Sequence, residues 1–335
     1  MASRAVGAFE SAPSRRRYWL VLAVLALVAA SATVGLLGYN NPVAFGTSGY
    51  WLIARRRLAS VLAMAIVAAA QSFATVAFQT VTNNRILTPS IMGFESLYVA
   101  VQTAAVYFLG VSGLGMLTGL PQFVLQIAVM VGLSLALYGW LLSGRYGNIQ
   151  IMLLVGIVIG GGLASVSSFM RRMLTPSEFD VLTARMFGSM TNADPMYFPI
   201  AIPLCLAAAG LLWWRSRRLN VVALGRDAAT NLGLDHRREL MATLFLVSVL
   251  MAVSTALVGP MTFFGFLVAT LTYQLAGTHD HRRLLPLGAL TGFVVLAGAY
   301  FVMNHVFYAQ GVVSIIIELV GGTVFLVVIM RKGRL

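Results

Sequence analysis

The chain interrupts its apolar pattern with Phe78-Gln79-Thr80-Val81-Thr82-Asn83-Asn84-Arg85-Ile86-Leu87-Thr88-Pro89-Ser90-Ile91-Met92-Gly93-Phe94-Glu95, a polar run that contains proline and glycine. Apolar stretches long enough to cross a membrane lie on both sides of this run. Non-helical backbone at membrane depth is tolerated only where it is buried in protein or lines a water-filled path. The run therefore indicates a conduit rather than a simple membrane anchor.

Composition places the chain among polytopic membrane proteins. Its 335 residues are 59% hydrophobic and only 10% charged, whereas soluble domains carry about 25% charged residues. The net charge is +13, but the basic residues sit in short loops between apolar runs, as membrane topology signals do. We therefore expect an all-α fold in one transmembrane domain, residues 1–335, with membrane lipids around it and no nucleic acid as partner.

Ten apolar segments can be laid out along the chain, with boundaries uncertain by a few residues. They cover residues 18–38, 58–80, 92–110, 121–142, 149–170, 196–214, 240–259, 262–277, 284–304 and 312–330. The first could belong to a signal peptide cleaved near Ala30-Ser31-Ala32. Because its apolar run continues to Leu37 and reaches spanning length, we expect a retained helix.

The distribution of basic residues predicts the orientation. With a cytoplasmic N-terminus, 17 of the 23 basic residues face the cytoplasm. The cytoplasmic set is Arg4, Arg15, Arg16, Arg17, Arg85, Arg145, Arg215, Arg217, Arg218, Arg226, Arg237, Arg238, Arg282, Arg283, Arg331, Lys332 and Arg334. The exceptions are Arg55, Arg56, Arg57, Arg171, Arg172 and Arg185. This bias predicts cytoplasmic tails at residues 1–17 and 331–335.

The longest cytoplasmic link, residues 215–239, is also the richest in charge. Residues 227–232 can form a short helix that Gly233 ends. Leu224, Ala228 and Leu232 recur every four residues and give this basic element an apolar edge. A helix lying at the membrane surface would show the same pattern. A docking element for a cytoplasmic partner fits better, because plain connections are short.

A second interruption joins the segments 240–259 and 262–277. It reads Val258-Gly259-Pro260-Met261-Thr262-Phe263-Phe264-Gly265, and a Gly-Pro pair between apolar runs marks a sharp turn or a broken helix. Each half of the chain thus carries one interruption, which is typical of a transport path between two related halves. The two halves share no clear sequence repeat.

The chain lacks an energy source of its own. A phosphate-binding GxxxxGK[ST] loop needs a lysine, and the only lysine is Lys332 in the C-terminal tail. Cys205 is the only cysteine, which excludes an internal disulfide and a cysteine metal cluster. A gradient-driven carrier of a small metabolite or ion is the alternative, and it would use the intramembrane carboxylates Glu95 or Glu318.

An intramembrane protease is a further alternative. Gly46-Thr47-Ser48-Gly49 matches a GxSG pattern, and His305 is the histidine predicted on the same side. A serine nucleophile needs a base within hydrogen-bond reach. His236, His279 and His281 lie among arginines and are interpreted as surface histidines, although His279 and His281 could bind a metal.

The first interruption resembles a signature of bacterial iron-chelate uptake permeases, the membrane subunits of type II ABC importers. That family has a Gln, an Asn five residues later, a Pro ten residues after the Gln, and then a Gly, which Gln79, Asn84, Pro89 and Gly93 match. The form that this signature takes from Asn83 to Gly93 resembles the one in the subgroup that imports ferric anguibactin and ferric petrobactin. Further similarities lie in residues 219–237 and 319–326, so the resemblance covers nearly the whole chain.

Two departures refine this resemblance. Most relatives carry a GFxGLxxPH-type stretch in the eighth helix, and residues 264–270 lack its proline and histidine, as the anguibactin-like subgroup does. Many relatives carry two arginines three residues apart at the outer start of the second helix. Arg57 matches the first, Ser60 replaces the second, and Arg55 and Arg56 add charge.

The resemblance implies a permease that delivers a ferric siderophore across the bacterial cytoplasmic membrane. It implies two copies of an ATPase subunit, which bind ATP and Mg²⁺, and an extracytoplasmic siderophore-binding lipoprotein. A second, different permease is expected, so a heterodimer is preferred over a homodimer. This chain itself is expected to hold no catalytic residue, cofactor or metal.

The resemblance, together with the charge and position of individual residues, gives candidate site residues. The ATPase-coupling set is Leu224, Gly225, Arg226, Asp227, Ala228, Ala229, Leu232, Gly233 and Leu234. The binding-protein docking set is Arg55, Arg56 and Arg57. The translocation-path set is Gln79, Asn84, Pro89, Met92, Gly93, Phe94, Glu95, Tyr98 and Gln102.

Overall fold

The computed structural model describes residues 8–9, 11–116, 119–143, 149–186, 190, 193–307 and 313–332. Residues 111–116, 141–143, 149–150 and 331–332 are described by their backbone alone. Arg4, Arg145 and Arg334, which the orientation prediction used, lie outside these ranges, as do the ends of both predicted tails.

The fold is helical throughout its described length. The helices are α1 (Ala12–Gly38), α2 (Ser48–Val81), α3 (Glu95–Met116), α4 (Leu120–Ser143), α5 (Ile149–Arg172), α6 (Pro176–Met186), α7 (Phe198–Trp214), α8 (Ser216–Val222), α9 (Arg226–Asn231), α10 (His236–Val258), α11 (Phe264–Ala276), α12 (His281–His305) and α13 (Val313–Lys332). A π-helical turn, Ser90–Phe94, precedes α3, and a 3₁₀ turn, Pro195–Tyr197, precedes α7.

Each predicted apolar segment corresponds to a helix. Among the described residues, nine helices are long and apolar enough to span a membrane, and the tenth apolar helix is α11. With 13 residues, α11 is about 20 Å long, which is shorter than the roughly 30 Å hydrocarbon core of a bilayer. The link between α10 and α11 therefore lies within membrane depth.

Two predicted helix starts were wrong. The first helix begins at Ala12, where Ser11 accepts a hydrogen bond from the backbone N–H of Ser14, so the predicted tail 1–17 overlaps it. The second begins at Ser48, where Thr47 accepts one from the backbone N–H of Tyr50. Both errors have the same cause, since arginine is a good helix former and these helices continue beyond their apolar stretches.

Helices α2 and α10 form the centre of the bundle. They pack against each other and are buried on nearly all sides, whereas α1 is mostly exposed at the periphery. Small side chains let the backbones approach closely in such a centre. The fully buried alanines of α2 include Ala63, Ala70, Ala74 and Ala77.

The packing repeats between two halves of the chain. Helix α12 packs on α2, and α4 packs on α10; likewise α5 packs on α3, and α13 packs on α11. Helices α2–α5 thus contact one another and their counterparts in the same way as α10–α13. This arrangement describes two structurally related halves, which the sequence indicated only through its paired interruptions.

A close backbone approach holds the first interruption in place. Gly93 adopts φ +102°, a left-handed value that L side chains rarely take. A Cβ on Gly93 would lie 3.2 Å from the carbonyl oxygen of Gly156 and 3.2 Å from the Cα of Gly160. The interruption therefore packs directly on the backbone of α5.

Replacing Gly160 with leucine should force this contact apart. Its Cβ would lie 2.9 Å from the Cα of Gly93, so we expect Gly160→Leu to lower the free energy of unfolding by about 1–3 kcal/mol, the usual cost of overpacking. Unfolding of the detergent-solubilised chain would measure it. Gly161→Leu is the matched control, because no atom lies within 4 Å of its Cβ position. Equal stability of the two variants would contradict the packing argument.

Candidate functional site

The two interruptions meet at one carboxylate. Glu95 opens α3 and is 9% exposed. Its Oε1 accepts a hydrogen bond from the backbone N–H of Met261, 3.1 Å away, and its Oε2 accepts one from the hydroxyl of Thr262. These partners lie in the link between α10 and α11. A carboxylate of one half of the chain thus accepts hydrogen bonds from the non-helical link of the other half. Polar groups buried at membrane depth need such partners inside the protein.

Glu318 contrasts with Glu95. It lies on α13, is exposed and has no hydrogen-bond or ion-pair partner among the described residues. A carboxylate in a membrane helix faces a protein interior or a watery cavity rather than lipid. Glu318 therefore indicates that this side of α13 faces another subunit or water.

Two of the predicted path residues line a large cleft, which we call the basic-end cleft, of about 1590 Å³. They are Gln79 and Asn84, which also build the turn after α2. Gln79 donates from Nε2 to the carbonyl of Arg85 at 2.6 Å, and Asn84 accepts from the backbone N–H of Ile86 at 2.9 Å. The guanidinium of Arg85 lies 4.6 Å from the ring centre of Tyr273.

Two other path residues line a smaller cavity, which we call the α6-end cavity, of about 400 Å³. Tyr98 donates its hydroxyl to the carbonyl of Arg185 at 3.1 Å. Gln102 donates from Nε2 to Oε1 of Gln126. The cavity lies between α3, α4, α6 and the end of α10, at the opposite end of the bundle from the basic-end cleft.

Hydrogen bonds between Thr175 and Glu178 support the start of α6, the helix that carries Arg185. Glu178 accepts hydrogen bonds from the backbone N–H and the hydroxyl of Thr175, at 2.9 and 2.8 Å. These bonds favour the charged carboxylate and lower the pKa of Glu178 below its usual value. The carboxylate thereby satisfies one backbone donor, the N–H of Thr175, just before the helix.

The remaining path residues line neither of these two cavities. Pro89 precedes the π-helical turn, and Met92, Gly93 and Phe94 are packed inside the bundle, with Met92 and Phe94 only 3% and 2% exposed. The ring centre of Phe94 lies 6.2 Å from that of Tyr138. The structure therefore gives Met92 and Phe94 a packing role inside the bundle.

The predicted coupling set forms a helix pair at the basic end. The predicted helix 227–232 is observed as α9, Arg226–Asn231, and α8 is an additional helix before it. Gly225 and Gly233 flank α9 with φ values of +95° and +84°. Ala229 is buried, whereas Leu224 and Leu232 are 64% and 62% exposed. The two leucines of the apolar edge are therefore largely exposed.

An ion-pair cluster anchors this element. Glu239, at the start of α10, is 7% exposed and pairs with Arg215 and with Arg218, the latter at 2.8 Å. Arg215 precedes α8 and Arg218 lies within it. The cluster thus closes the link 215–239 at its base, and α9 projects from a fixed support.

A line of hydrogen bonds connects this element to α2. Asn220 of α8 accepts from the backbone N–H of His281 at 2.9 Å and donates to Asp280 at 2.8 Å. The Nδ1 of His281 lies 2.6 Å from the same oxygen of Asn220, and its Nε2 lies 2.6 Å from the hydroxyl of Thr80. His281 is 4% exposed, so its interpretation as a surface histidine was wrong.

Sequence reasoning missed this line because its members are far apart in the chain. Thr80, Asn220 and His281 come together only where the ends of α2, α8 and α12 meet. One signal was available, since Asp280 is a preferred helix-capping residue and its side chain accepts from the backbone N–H of Arg282. A residue just after such a cap is the start of a helix rather than part of an open loop.

The three docking arginines have different surroundings. Arg55 and Arg56 are exposed on α2. Arg57 is half-buried and donates to the carbonyls of Tyr39 and Asn40, at 2.6 and 3.2 Å, beyond the end of α1. Arg57 therefore holds the α1–α2 link. Its positive charge is favourable there because the C-terminal end of a helix carries a partial negative charge.

The protease and metal alternatives find no assembled site among the described residues. Ser48 is the first residue of α2, and Thr47 serves as its cap. The Nδ1 of His305 lies 3.2 Å from the carbonyl of Phe301, and its ring stacks on the Phe301 ring. No group of three His, Cys, Asp or Glu side chains that could hold a metal ion occurs in the described part of the chain.

Removing the Glu95 carboxylate should destabilise the bundle. Glu95→Ala leaves the backbone N–H of Met261 and the hydroxyl of Thr262 buried without their acceptor, so we expect a loss of about 2–3 kcal/mol in unfolding free energy. Unfolding of the purified chain in detergent would measure it. Glu318→Ala is the control, since Glu318 makes no bond within the described chain. If both variants unfold like the wild type, Glu95 does not hold the interruptions together.

Comparison with known proteins supports the same architecture. The family model described as the FecCD transport family matches residues 18–331. The petrobactin import system permease protein FatC of Bacillus anthracis is 53% identical over 333 residues, which cover 99% of this chain and 94% of FatC. The petrobactin import system permease protein YclO of Bacillus subtilis is 35% identical over 279 residues, covering 83% of this chain and 89% of YclO.

A solved structure has the same fold. It is described as an inward-facing conformation of a metal-chelate type ABC transporter, and it superposes with a TM-score of 0.81 at 23% identity, covering 94% of this chain and 100% of that chain. The predicted family and fold class are confirmed. The chain belongs to the FecCD transport family and has the fold of an ABC importer permease.

Proposed function

We propose that this chain is the permease subunit of an ATP-driven importer that moves a ferric siderophore across the bacterial cytoplasmic membrane. Family membership supports the class of protein. The names of its relatives FatC and YclO, both petrobactin import permeases, support a ferric siderophore as the substrate. The single observation that carries the ATP-driven mechanism is the pair of exposed leucines, Leu224 and Leu232, on an anchored basic element.

The basic end of the bundle faces the cytoplasm in this proposal. Cytoplasmic loops of membrane proteins are enriched in arginine and lysine. The described basic residues at this end include Arg15, Arg16, Arg17, Arg85, Arg215, Arg217, Arg218, Arg226, Arg237, Arg238, Arg282 and Arg283. This orientation agrees with cytoplasmic termini, and it places the α6-end cavity toward the extracytoplasmic side.

The helix pair α8–α9 is the site where a cytoplasmic ATPase pushes. Exposed leucines beside arginines suit a partner with an apolar groove and an acidic rim, since burial of apolar surface drives association and complementary charges orient the partners. We assign this contact to the coupling set from Leu224 to Leu234. Because Glu239 anchors the base of the element, a push on α9 is passed to α8 and α10 and is not lost in a flexible loop.

The line from Asn220 through His281 to Thr80 passes this motion to α2. Thr80 lies one residue after Gln79, at the start of the turn that leads into the first interruption. Packed interfaces that have two arrangements convert small shifts at one site into larger ones elsewhere. We propose that α8 thereby shifts the first interruption.

The remaining partners follow from the same arrangement. Two copies of an ATPase would bind ATP and Mg²⁺, and a second, different permease would complete a heterodimer. The unpartnered carboxylate Glu318 supports an interface or a watery path on that side of α13. A siderophore-binding lipoprotein would dock on Arg55 and Arg56. These residues lie about 39 Å along α2 from its cytoplasmic end, and because the hydrocarbon core is only roughly 30 Å thick, they emerge on the extracytoplasmic side.

The alternative, a gradient-driven carrier, draws its support from the same residue. Glu318 could take up a proton or a cation if it faces water. Accumulation of substrate by the purified chain alone, lost in Glu318→Gln, would favour this alternative. Accumulation that requires an ATPase and ATP would exclude it.

Charge substitutions should separate the two docking surfaces. Leu232→Asp places a charge on the exposed leucine edge, so we expect loss of ATPase co-purification with the fold intact. Arg55→Glu combined with Arg56→Glu should instead weaken capture of the binding lipoprotein at least tenfold and leave the ATPase bound, because surface charges steer and orient partners. Each variant is the control for the other. Retention of the ATPase by Leu232→Asp would disprove the coupling assignment.

Breaking the line at Thr80 should uncouple the motion. Thr80→Val removes the hydroxyl that faces Nε2 of His281, 2.6 Å away, so we expect several-fold slower uptake with ATPase assembly unchanged. Uptake and ATP hydrolysis would be measured on the same reconstituted complex. Thr82→Val is the matched control, because its hydroxyl bonds only carbonyls of its own helix. Equal uptake by both variants would exclude the line as a route.

A further inference from the structure

The α6-end cavity contains a polar pair that is buried and incompletely bonded. Gln102 and Gln126 are 5% and 6% exposed. Gln102 donates its Nε2 to Oε1 of Gln126, and the Nε2 of Gln126 has no hydrogen-bond partner in the described structure. Leaving a buried donor unpaired costs about 1–3 kcal/mol. The unpaired donor of Gln126, on the cavity wall, therefore points to an acceptor that arrives from outside the chain.

A positive charge lies beside this donor. The half-buried Arg185 of α6 lines the same cavity and forms no ion pair with a carboxylate in the described ranges. Its Nη1 is 3.5 Å from Oε1 of Gln102, at the limit of a hydrogen bond. Most of the five guanidinium donors thus remain available, and they suit an oxygen anion in a fork geometry.

An aromatic surface forms another part of the wall. The rings of Phe123 and Tyr197 are stacked, with centres 4.6 Å apart and planes only 5° from parallel. Both residues line the cavity with Arg185 and Gln126. A flat apolar face beside a cation and an amide donor suits a planar ligand group that carries anionic oxygens, because ligand sites combine apolar walls with a few convergent polar groups.

We propose that the α6-end cavity is a binding site for one anionic, oxygen-bearing arm of the ferric chelate, a carboxylate or a catecholate. This inference rests on the proposed function for the identity of the whole substrate. Chelators of ferric iron present negatively charged oxygens, since this hard cation prefers such ligands. A cavity of about 400 Å³ is at the lower end of small-ligand sites and takes one arm rather than a complete chelate.

The site acts on entry of the substrate. Tyr98, Gln102 and the end of α10 belong to its wall, and Glu95 lies on the same helix as Tyr98 and Gln102, one to two turns toward the interruption. An arm held by Arg185 and Gln126 therefore lies directly above the closed part of the bundle. The contact is a weak one that holds the chelate at the entrance and releases it when the interruption shifts.

Transport kinetics test the site in the assembled importer. The complex of this chain with its ATPase and partner permease, in proteoliposomes, would be given ferric petrobactin labelled with radioactive iron. We expect Arg185→Gln and Gln126→Leu each to raise KM about tenfold with little change in maximal rate. The reason is that the first variant loses a charge-assisted hydrogen bond to the arm and the second loses an amide hydrogen bond. Gln126→Glu places a negative charge beside the arm and should raise KM further. Arg185→Lys keeps a positive charge, so its KM should be lower than that of Arg185→Gln.

Arg172→Gln is the matched control. Arg172 is an exposed arginine at the end of α5, on the same side of the bundle, and it does not line the cavity. Its KM should equal that of the wild type. Basal ATP hydrolysis and thermal unfolding of each variant would separate a binding defect from misfolding.

A direct binding measurement makes the site testable apart from the substrate. Saturation-transfer NMR on the chain in nanodiscs would use 2,3-dihydroxybenzoate as an anionic probe and uncharged catechol as its comparison. We expect a signal for 2,3-dihydroxybenzoate that is stronger than that for catechol and is lost in Arg185→Gln and Gln126→Glu. Binding of the anion without uptake of ferric petrobactin would exclude petrobactin as the chelate and support the site, and absence of uptake for every ferric siderophore tried would overturn the proposed substrate class. Uptake with unaltered KM in all variants, and no probe signal, would overturn the site and leave the proposed function standing.

Discussion

The bond from Glu95 to the α10–α11 link is the interaction on which the rest of this architecture depends. Helix α11 is too short to cross a bilayer, so the backbone around Met261 must find partners inside the protein. The side chain of Glu95 supplies them from the other half of the chain. One carboxylate thus stabilises the helix interruptions of both halves, and it also fixes where the two interruptions meet.

Closure of the bundle follows from that junction. The π-helical turn before Glu95 is pressed against α5 through Gly93 and Gly160, and neither of these glycines lines the basic-end cleft or the α6-end cavity. The two cavities differ in chemistry as well as in size. One is lined by arginines and contains the end of α2, while the other contains glutamines, aromatic rings and a single arginine.

The coupling element is tied to this closure by polar contacts at its base. Arg215, Arg218 and Glu239 hold α8 to α10, and Asn220 with His281 holds α8 to α2 and α12. Both central helices therefore end at the same support. An exposed helix on a rigid base, joined to the ends of α2 and α10, is a suitable place for an outside subunit to drive a change in the middle of the membrane.

Sequence alone determined the membrane class, the number of apolar segments, the family and the helix at the coupling element, because hydropathy, charge bias and short motifs are local properties. Gly233 as a helix end and the polar break at Pro89 belong to this group. Tertiary structure alone decided that Glu95 meets Met261, that His281 is buried against Thr80, and that Gln126 and Arg185 share a cavity. Each of these contacts joins residues from separate helices, and only the packing of α2 against α10 and the shells around them brings such residues together.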